Sequence, residues 1–326
     1  MRAARLHMAL DSGAWILPPA GDIAVLRPRA GDDLQALPAS RVVVLTGFRP
    51  DQDYFAGQGY RVEGKGFTAA LICLPRSRSE AQAMLAQAVA LVGPVGSLAI
   101  DGQKTDGFDS AVKDLRGAGF ILGEVVSKAH GKFVSFVTAP VPAGWAAADT
   151  RFDGFITRPG VFSADGPDKG SALLAAALPA DLPARVADLG AGWGYLSRAI
   201  LQRAGVRRLD VVEAERVALD CARLNVTDPH AVFHWADALT FRPERPWNAV
   251  VMNPPFHNAR APDVGLGLGF IRAAHRGLAP DGVLWMVANR HLAYEPTLKL
   301  LFRQVEEVGG DSAFRVSRAA YPIKSK

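Results

Sequence analysis

The stretch that decides the fold is Val186-Ala187-Asp188-Leu189-Gly190-Ala191-Gly192-Trp193-Gly194-Tyr195. It begins in a short apolar run, its three glycines alternate with other residues, and a helical pattern starts at Tyr195. Glycine lets the backbone turn sharply from a strand into a helix and lets a ligand approach closely. We therefore predict a strand-to-helix turn around a nucleotide-like ligand, with a purely structural turn as the alternative.

The spacing of the glycines favours S-adenosylmethionine over a dinucleotide, because this ligand has no pyrophosphate that needs a helix N-terminus. We expect Asp188 to face its positively charged amino-acid end. Glu213, at the end of the next predicted strand, can accept from both ribose hydroxyls, although dehydrogenases use the same device. Asp237 follows the third strand and can accept from the adenine amine; an exposed loop aspartate is the alternative. The predicted cofactor-binding residues are Asp188, Gly190, Gly192, Gly194, Glu213, Asp237 and Asn253.

The motif that discriminates between chemistries is Asn253-Pro254-Pro255-Phe256, which follows the fourth predicted strand. Two prolines fix the backbone and remove two N–H donors, so nearby carbonyl oxygens are left as acceptors. The Asn253 side-chain oxygen and the Pro254 carbonyl can then accept both hydrogens of a planar exocyclic amine, and Phe256 can stack on its ring. The motif predicts N-methylation by alignment of the amine, with Asn253, Pro254, Pro255 and Phe256 as the catalytic set; a rigid turn is the alternative.

Strand and helix patterns alternate regularly along the second half of the chain. Strands that are apolar on both faces and separated by helices indicate an α/β fold with a parallel sheet covered on two sides. A turn is predicted at Pro280-Asp281-Gly282 and an antiparallel hairpin around Gly309-Gly310-Asp311. The predicted strands are 185–189, 209–212, 231–235, 249–252 and 283–288, and the predicted helices include 195–204 and 267–278.

The sequence pattern of the first half resembles a degenerate copy of the second half. Ala70-Leu71-Ile72-Cys73-Leu74-Pro75-Arg76 resembles Val250-Val251-Met252-Asn253-Pro254-Pro255-Phe256, and each is followed by a helix and a strand. We infer an internal duplication, although any two α/β domains share such features. A proline-rich stretch within 140–157 predicts the boundary, which gives a degenerate domain over residues 1–150 and a catalytic domain over residues 151–326.

Composition limits the class of protein. A length of 326 residues suits two domains, and 49% hydrophobic with 21% charged residues is typical of a globular chain. Apolar runs are strand-sized and a secretory segment is not recognisable, so we expect a cytoplasmic protein without membrane contact. Cys73 and Cys221 lack metal-ligand spacing, so neither a disulfide nor a metal site is expected. The net charge of +5 is compatible with RNA but does not establish it.

With these motifs in view, the chain resembles the bacterial small-ribosomal-subunit RNA guanine-N2 methyltransferases and their large-subunit relatives. The resemblance also rests on Pro159-Gly160-Val161-Phe162-Ser163, on Gly170-Ser171, and on Val287-Ala288-Asn289-Arg290. It implies two tandem Rossmann-like methyltransferase domains, of which the first has lost cofactor binding. It further implies that 162–171 closes over the methionine end of S-adenosylmethionine, and that a monomer methylates guanine N2 in 16S ribosomal RNA or the small subunit.

Other functions fit parts of the pattern. The Asn-Pro-Pro-Phe motif also suits adenine N6 or a protein glutamine, and only the wider resemblance favours guanine. A non-catalytic RNA-binding or assembly protein is a further alternative, although the glycine loop, Glu213 and the 253–256 motif are intact together. An NAD-dependent oxidoreductase is disfavoured, because no acid/base residue for hydride transfer accompanies the loop.

Overall fold

The computed structural model describes residues 2–255, 257–258, 261–262 and 264–323, with side chains outside 256–263. The chain divides into two compact units, Met1–Ala148 and Asp149–Lys326. Among the described residues, no helix combines the length and the apolar character needed to span a membrane.

The first unit is an α/β unit built on one sheet. Its strands are β1 (Asp22–Leu26), β2 (Val42–Leu45), β3 (Phe67–Cys73), β4 (Ser97–Gln103), β5 (Val126–Lys128) and β6 (Gly131–Val137). Its helices are α1 (Arg2–Asp11), α2 (Arg49–Gly57), α3 (Arg78–Val92) and α4 (Phe108–Gly117), with short 3-10 turns at Ala39–Arg41, Lys104–Asp106 and Ala143–Trp145. The strands follow the order β2-β1-β3-β4-β6-β5. Strands β1 to β4 are parallel, whereas β6 runs antiparallel to both β4 and β5.

Helix α1 packs against β5 and β6, and two of its arginines reach Asp101 of β4. The buried Arg5 donates from Nε to Asp101 Oδ1 at 2.6 Å and from Nη2 to Asp101 Oδ2 at 2.9 Å. Arg2 pairs with the same carboxylate and with Asp32. Asp101 is fully buried and lies in register with Cys73 at the end of β3. A buried charge requires a partner, so the two arginines compensate the buried carboxylate of Asp101.

The second unit contains a larger sheet. Its strands are β7 (Thr150–Phe152), β8 (Phe155–Thr157), β9 (Arg185–Leu189), β10 (Arg208–Glu213), β11 (Ala231–Trp235), β12 (Trp247–Met252), β13 (His257–Asn258), β14 (Ala261–Pro262), β15 (Leu278–Asn289), β16 (Phe302–Gly310) and β17 (Phe314–Pro322). Its helices are α5 (Lys169–Ala177), α6 (Tyr195–Leu201), α7 (Arg216–Asn225), α8 (Val264–Gly277) and α9 (Glu295–Leu301).

The central strands of the main sheet of the second unit are buried on both faces. Its order is β11-β10-β9-β12-β15-β17-β16, with β17 antiparallel to both of its neighbours. Along β9, Val186 belongs to one hydrophobic core and Ala187 and Leu189 to another, and all three are fully buried. Each buried Val or Leu side chain stabilises the fold by about 1.5–3 kcal/mol. Doubly covered strands explain the continuous apolar runs in the sequence.

The two units have the same topology, as the internal duplication in the sequence predicted. Strands β2-β1-β3-β4-β6-β5 correspond in order and direction to β10-β9-β12-β15-β17-β16. Within residues 2–148 the sheet has no counterpart of the edge strand β11. The segments proposed as copies begin inside equivalent strands, with residues 70–73 at the end of β3 and residues 250–252 at the end of β12. The prediction of two tandem Rossmann-like domains, the first degenerate, is therefore confirmed.

Some elements differ from the sequence prediction. The turn predicted at 280–282 lies inside β15, where the pairing with β12 jumps from Trp247–Leu278 to Ala249–Val283. Residues 279–282 bulge out of the pairing between β12 and β15, so the predicted turn is present as an irregularity within β15. Helices α5 and α9 and the β7–β8 hairpin were not predicted from periodicity.

Candidate active site

The glycine loop joins β9 to α6 at the carboxyl edge of the sheet. Gly190, Gly192 and Gly194 have φ angles of 73°, 58° and 91°, a region that disfavours side chains. A Cβ at Gly194 would also lie 3.0 Å from the Val226 side chain and 3.3 Å from the Ala222 backbone. The loop is thus closed against α7 at Gly194, whereas a Cβ at Gly192 would meet nothing within 4 Å. Open space beside the middle glycine is what a ligand at this edge requires.

Asp188 lies beneath this loop and is fully buried. Its Oδ2 accepts from Ser197 Oγ at 2.6 Å, whereas its Oδ1 is buried without a hydrogen-bond partner among the described residues. Burial raises the pKa of Asp188 to about 7, the charge of Glu213 adds to the rise, and the Ser197 hydrogen bond opposes it. An unpaired buried acceptor is costly, so a donor or cation at Oδ1 would stabilise the site.

Glu213 ends β10 and is half-buried. Its Oε2 accepts from Gly192 N–H at 2.7 Å, and its Oε1 accepts from Glu215 N–H at 2.7 Å. Burial raises the pKa of Glu213, although these backbone donors act in the opposite direction. The carboxylate thereby holds the glycine loop, and each oxygen retains a lone pair for a further donor.

Asp237 follows β11 and stabilises its own turn. Its Oδ1 accepts from Leu239 N–H at 2.8 Å, and its carbonyl accepts from the N–H groups of Thr240 and Phe241. Asp237 is half-buried rather than an exposed loop residue. The turn holds its carboxylate beside β11, next to the end of β10.

The orientation of Asn253 is fixed by helix α5. Its Nδ2 donates to Asp168 Oδ2 at 2.9 Å and to Ser171 Oγ at 2.9 Å. Both N–H bonds of the amide are therefore used. A carboxylate oxygen only accepts, so the amide nitrogen faces α5 and its carbonyl oxygen, Oδ1, faces away from these two partners.

The strand registers bring most of the predicted residues to one edge. Val251 pairs with Asp188, so Asn253 begins the loop just beyond the register of Asp188. Glu213 ends the neighbouring strand. Pro254 is buried and Pro255 is exposed. Phe256 lies outside the described residues.

Sequence reasoning missed Asp168 and Ser171 as partners of Asn253. Asp168 caps α5, with Ser171 N–H donating to its Oδ2 at 2.9 Å. An aspartate three residues before a serine and ahead of an apolar run is a helix-start signal that could have located this cap. Its contact with Asn253 joins residues 85 positions apart and has no sequence signal.

A packed aromatic cluster supports the loop from outside the sheet. Trp193 contacts Phe152, Phe155 and Tyr195, and its Nε1 donates to the Phe162 carbonyl at 3.0 Å. The buried Asn225 donates to the Trp193 carbonyl at 2.8 Å. The loop is thereby held in place before any ligand binds.

Two further observations concern the ionisable side chains of this unit. Within the described part of the chain, no three or more His, Cys, Asp or Glu side chains form a group that could hold a metal ion. Arg290, beyond β15, is bound to Glu307 and to the Asp311 carbonyl, so its guanidinium stabilises the β16–β17 hairpin.

The strand order and the glycine loop define the second unit as a Rossmann-like methyltransferase domain. Residues 153–318 match the family model of the methyltransferase small domain. The chain is 31% identical over 267 residues to ribosomal RNA small subunit methyltransferase C of Pseudomonas aeruginosa (strain LESB58), covering 78% of this chain and 79% of the relative. The chain therefore belongs to the methyltransferase small domain family and to the family of ribosomal RNA small subunit methyltransferase C.

Two other similarities differ in extent. Ribosomal RNA large subunit methyltransferase G of Ectopseudomonas mendocina (strain ymp) is 35% identical over 170 residues, which is 51% of this chain and 46% of the relative. The solved T. thermophilus 16S rRNA N2 methyltransferase RsmC, in complex with AdoMet and guanosine, superposes with a TM-score of 0.77 at 25% identity. That match covers 97% of this chain and 91% of RsmC, so it includes both units.

Proposed function

We propose that this chain transfers a methyl group from S-adenosylmethionine to the exocyclic N2 amine of a guanine in 16S ribosomal RNA. The observation that carries the proposal is the orientation of Asn253, whose two N–H bonds are both used by Asp168 and Ser171. Its free amide atom is an acceptor, which suits a substrate that donates, such as an amine. The choice of ribosomal RNA and of guanine as the substrate is based on the names of the relatives.

S-adenosylmethionine supplies an activated methyl group on a sulfonium centre. The residues present fit this cofactor, because the buried Oδ1 of Asp188 lacks a partner and the space beside Gly192 is open. We assign Asp188 and the loop glycines to its amino-acid end, Glu213 to its ribose hydroxyls and Asp237 to its adenine amine. Gly190 and Gly194 contribute by fixing the loop backbone.

The chain's own residues align the target amine. Asn253 Oδ1 and the Pro254 carbonyl are proposed to accept its two N–H bonds, which points the nitrogen at the methyl group. An exocyclic amine is a weak nucleophile because its lone pair is conjugated, so alignment supplies most of the catalysis. The proton leaves after transfer, and no strong base is required. Phe256 is proposed to stack on the base.

The proposal also includes the partner and the two domains. We assign catalysis to residues 151–326 and a structural or substrate-recognition role to residues 1–150, where Arg2 and Arg5 of α1 pair with the buried Asp101. The substrate is the ribosomal RNA or the small subunit, and the protein acts in the cytoplasm as a monomer.

The test incubates the full chain and methyl-labelled S-adenosylmethionine with unmethylated small and large ribosomal subunits, their extracted RNAs, and total protein. Digestion to nucleosides should release N2-methylguanosine from small-subunit RNA. Asn253→Ala should abolish turnover and leave the cofactor dissociation constant within several-fold. Asn248→Ala, at the other end of β12, is the matched control and should keep full activity.

Each other outcome has a defined meaning. Label in N6-methyladenosine or in protein glutamine would keep the transfer chemistry and refute the substrate. If Asn253→Ala lost cofactor binding, the alignment role of Asn253 would be wrong. Binding of the cofactor without transfer to any of these substrates would favour a non-catalytic RNA-binding protein.

A further inference from the structure

Helix α5 makes the only described contacts to the amide nitrogen of Asn253, through its cap residue and its first turn. The same oxygen, Asp168 Oδ2, accepts from Ser171 N–H and from Asn253 Nδ2, each at 2.9 Å. Ser171 Oγ accepts the second N–H of the amide at 2.9 Å. The helix cap and the orientation of the amide thus depend on one carboxylate.

The surroundings of Asp168 hold this carboxylate in place. A Cβ added at Gly170 would lie 3.0 Å from Asp168 Oδ2 and 3.1 Å from the Phe314 ring, so a side chain there would press on both of them. Lys169 Nζ pairs with Asp311 Oδ2 at 2.6 Å, which ties the first turn of α5 to the β16–β17 hairpin. The start of α5 is therefore braced on both sides of the capping residue.

Without these two acceptors the amide has no fixed orientation. An amide flipped by 180° would present Nδ2 where Oδ1 now lies, and a donor facing the N–H bonds of an amine repels them. We expect the lost alignment to affect the transition state more than cofactor binding, because most of the predicted cofactor-binding residues lie at the carboxyl ends of β9, β10 and β11.

Building on the proposed function, we propose that Asp168, assisted by Ser171, is a positioning residue for methyl transfer that keeps Asn253 Oδ1 turned towards the amine of the substrate. Asp168 acts through Asn253 and not on the substrate itself. In this proposal Asn253 contacts the amine, and Asp168 and Ser171 contact Asn253.

The first test compares Asp168→Ser, Asp168→Asn and Ser171→Ala in the full chain. Serine retains a capping oxygen for α5 but is too short to reach Asn253, whereas asparagine caps well and keeps an acceptor of the same reach. At saturating cofactor, Asp168→Ser should lower kcat about 10- to 100-fold. Asp168→Asn should stay within about fivefold of the unmodified chain, and Ser171→Ala should fall between them.

The controls separate positioning from folding and from cofactor binding. The thermal midpoint of Asp168→Ser and its dissociation constant for S-adenosylmethionine should stay close to those of the exposed control variant Asp181→Ser. Three results would overturn the proposal: an unchanged kcat in Asp168→Ser, a loss of cofactor affinity as large as the loss of kcat, or an Asp168→Asn variant as slow as Asp168→Ser.

A second measurement does not depend on activity. In ¹⁵N NMR spectra, the Asn253 side-chain NH₂ signal, assigned by its loss in Asn253→Ala, should exchange slowly with solvent because both hydrogens are bonded. In Asp168→Ser it should exchange about tenfold faster or more, and equal exchange would contradict the contact. If the unmodified chain transfers no methyl group, the proposed function fails while this measurement still decides the orientation of Asn253.

Discussion

Binding of S-adenosylmethionine should weaken as the pH falls below 7, because Asp188 must be ionised to face a cationic ligand. Burial raises the pKa of Asp188 to about 7, and its Oδ1 has no partner among the described residues. An ammonium group beside Oδ1 would favour the carboxylate and lower this pKa. Cofactor binding is therefore linked to the loss of a proton from Asp188.

The size of the effect follows from the pKa. With a value near 7, about half of the Asp188 side chains are ionised at pH 7 and about a tenth at pH 6. The apparent dissociation constant should rise about fivefold between these pH values.

The raised pKa of Asp188 also affects the stability of the fold. Because the folded pKa lies above the usual 3.8, the contribution of Asp188 to the free energy of unfolding is highest below about pH 4, and it falls by up to about 4 kcal/mol between about pH 4 and pH 7.

Isothermal titration calorimetry from pH 6 to pH 7 gives the slope directly. Repeating it in buffers of different ionisation enthalpy should reveal release of about 0.5 proton per cofactor at pH 7. Asp188→Asn keeps the size of the side chain and removes its titration, so its affinity should be flat over this range. An equal slope in Asp188→Asn would assign the proton to another group, such as Glu213, and a flat profile in the unmodified chain would refute the reasoning.

Three further predictions concern the supporting structure. Gly194→Ala forces a side chain into φ 91° and within 3.0 Å of a packed neighbour, so it should cost at least about 1–2 kcal/mol by calorimetry; an unchanged thermal midpoint would contradict the strain. Arg5→Ala leaves the buried Asp101 charge short of a partner and should destabilise the first unit by about 3–5 kcal/mol in urea titrations, whereas a loss under about 1 kcal/mol would mean that the pair is dispensable. Asp210→Ala leaves the Trp247 indole N–H unpaired and should cost about 1–3 kcal/mol at pH 7. The pKa of Asp210 is lowered to about 2, so its contribution is present above about pH 4 and is lost as the pH falls towards 2; an equal cost of the substitution at pH 7 and pH 2 would refute this.

The strands of the second unit could be predicted because burial on two faces leaves a continuous apolar run. Residues 185–189 and 231–235 were predicted as strands with the bounds that the structure has. The glycine loop was predictable for a different reason, since alternating glycines have few uses other than a left-handed turn next to a ligand. Both signals are local, and each can be read from about ten consecutive residues.

The parts of the site that were missed depend on contacts between distant segments. Glu213 was predicted to bind ribose, and its hold on Gly192 N–H was not foreseen, because it joins two loops of the folded sheet. The contact of Asp168 with Asn253 likewise exists only once α5 packs against the sheet. Periodicity cannot indicate such pairs. The roles assigned to the individual site residues, and to the two predicted domains, remain predictions.

The arginine contacts of α1 have a consequence for how the chain folds during synthesis. Arg5 bonds to Asp101, 96 residues later, and to the Lys128 carbonyl, 123 residues later. At about 5–20 residues per second, a translating ribosome needs about 5–20 s to add the 96 residues that separate Arg5 from its carboxylate. Until then α1 is a short, isolated helix, which is marginal in water. The contacts of Arg5 can therefore form only after β4 and β5 have been synthesised, so α1 joins the fold of the first unit late.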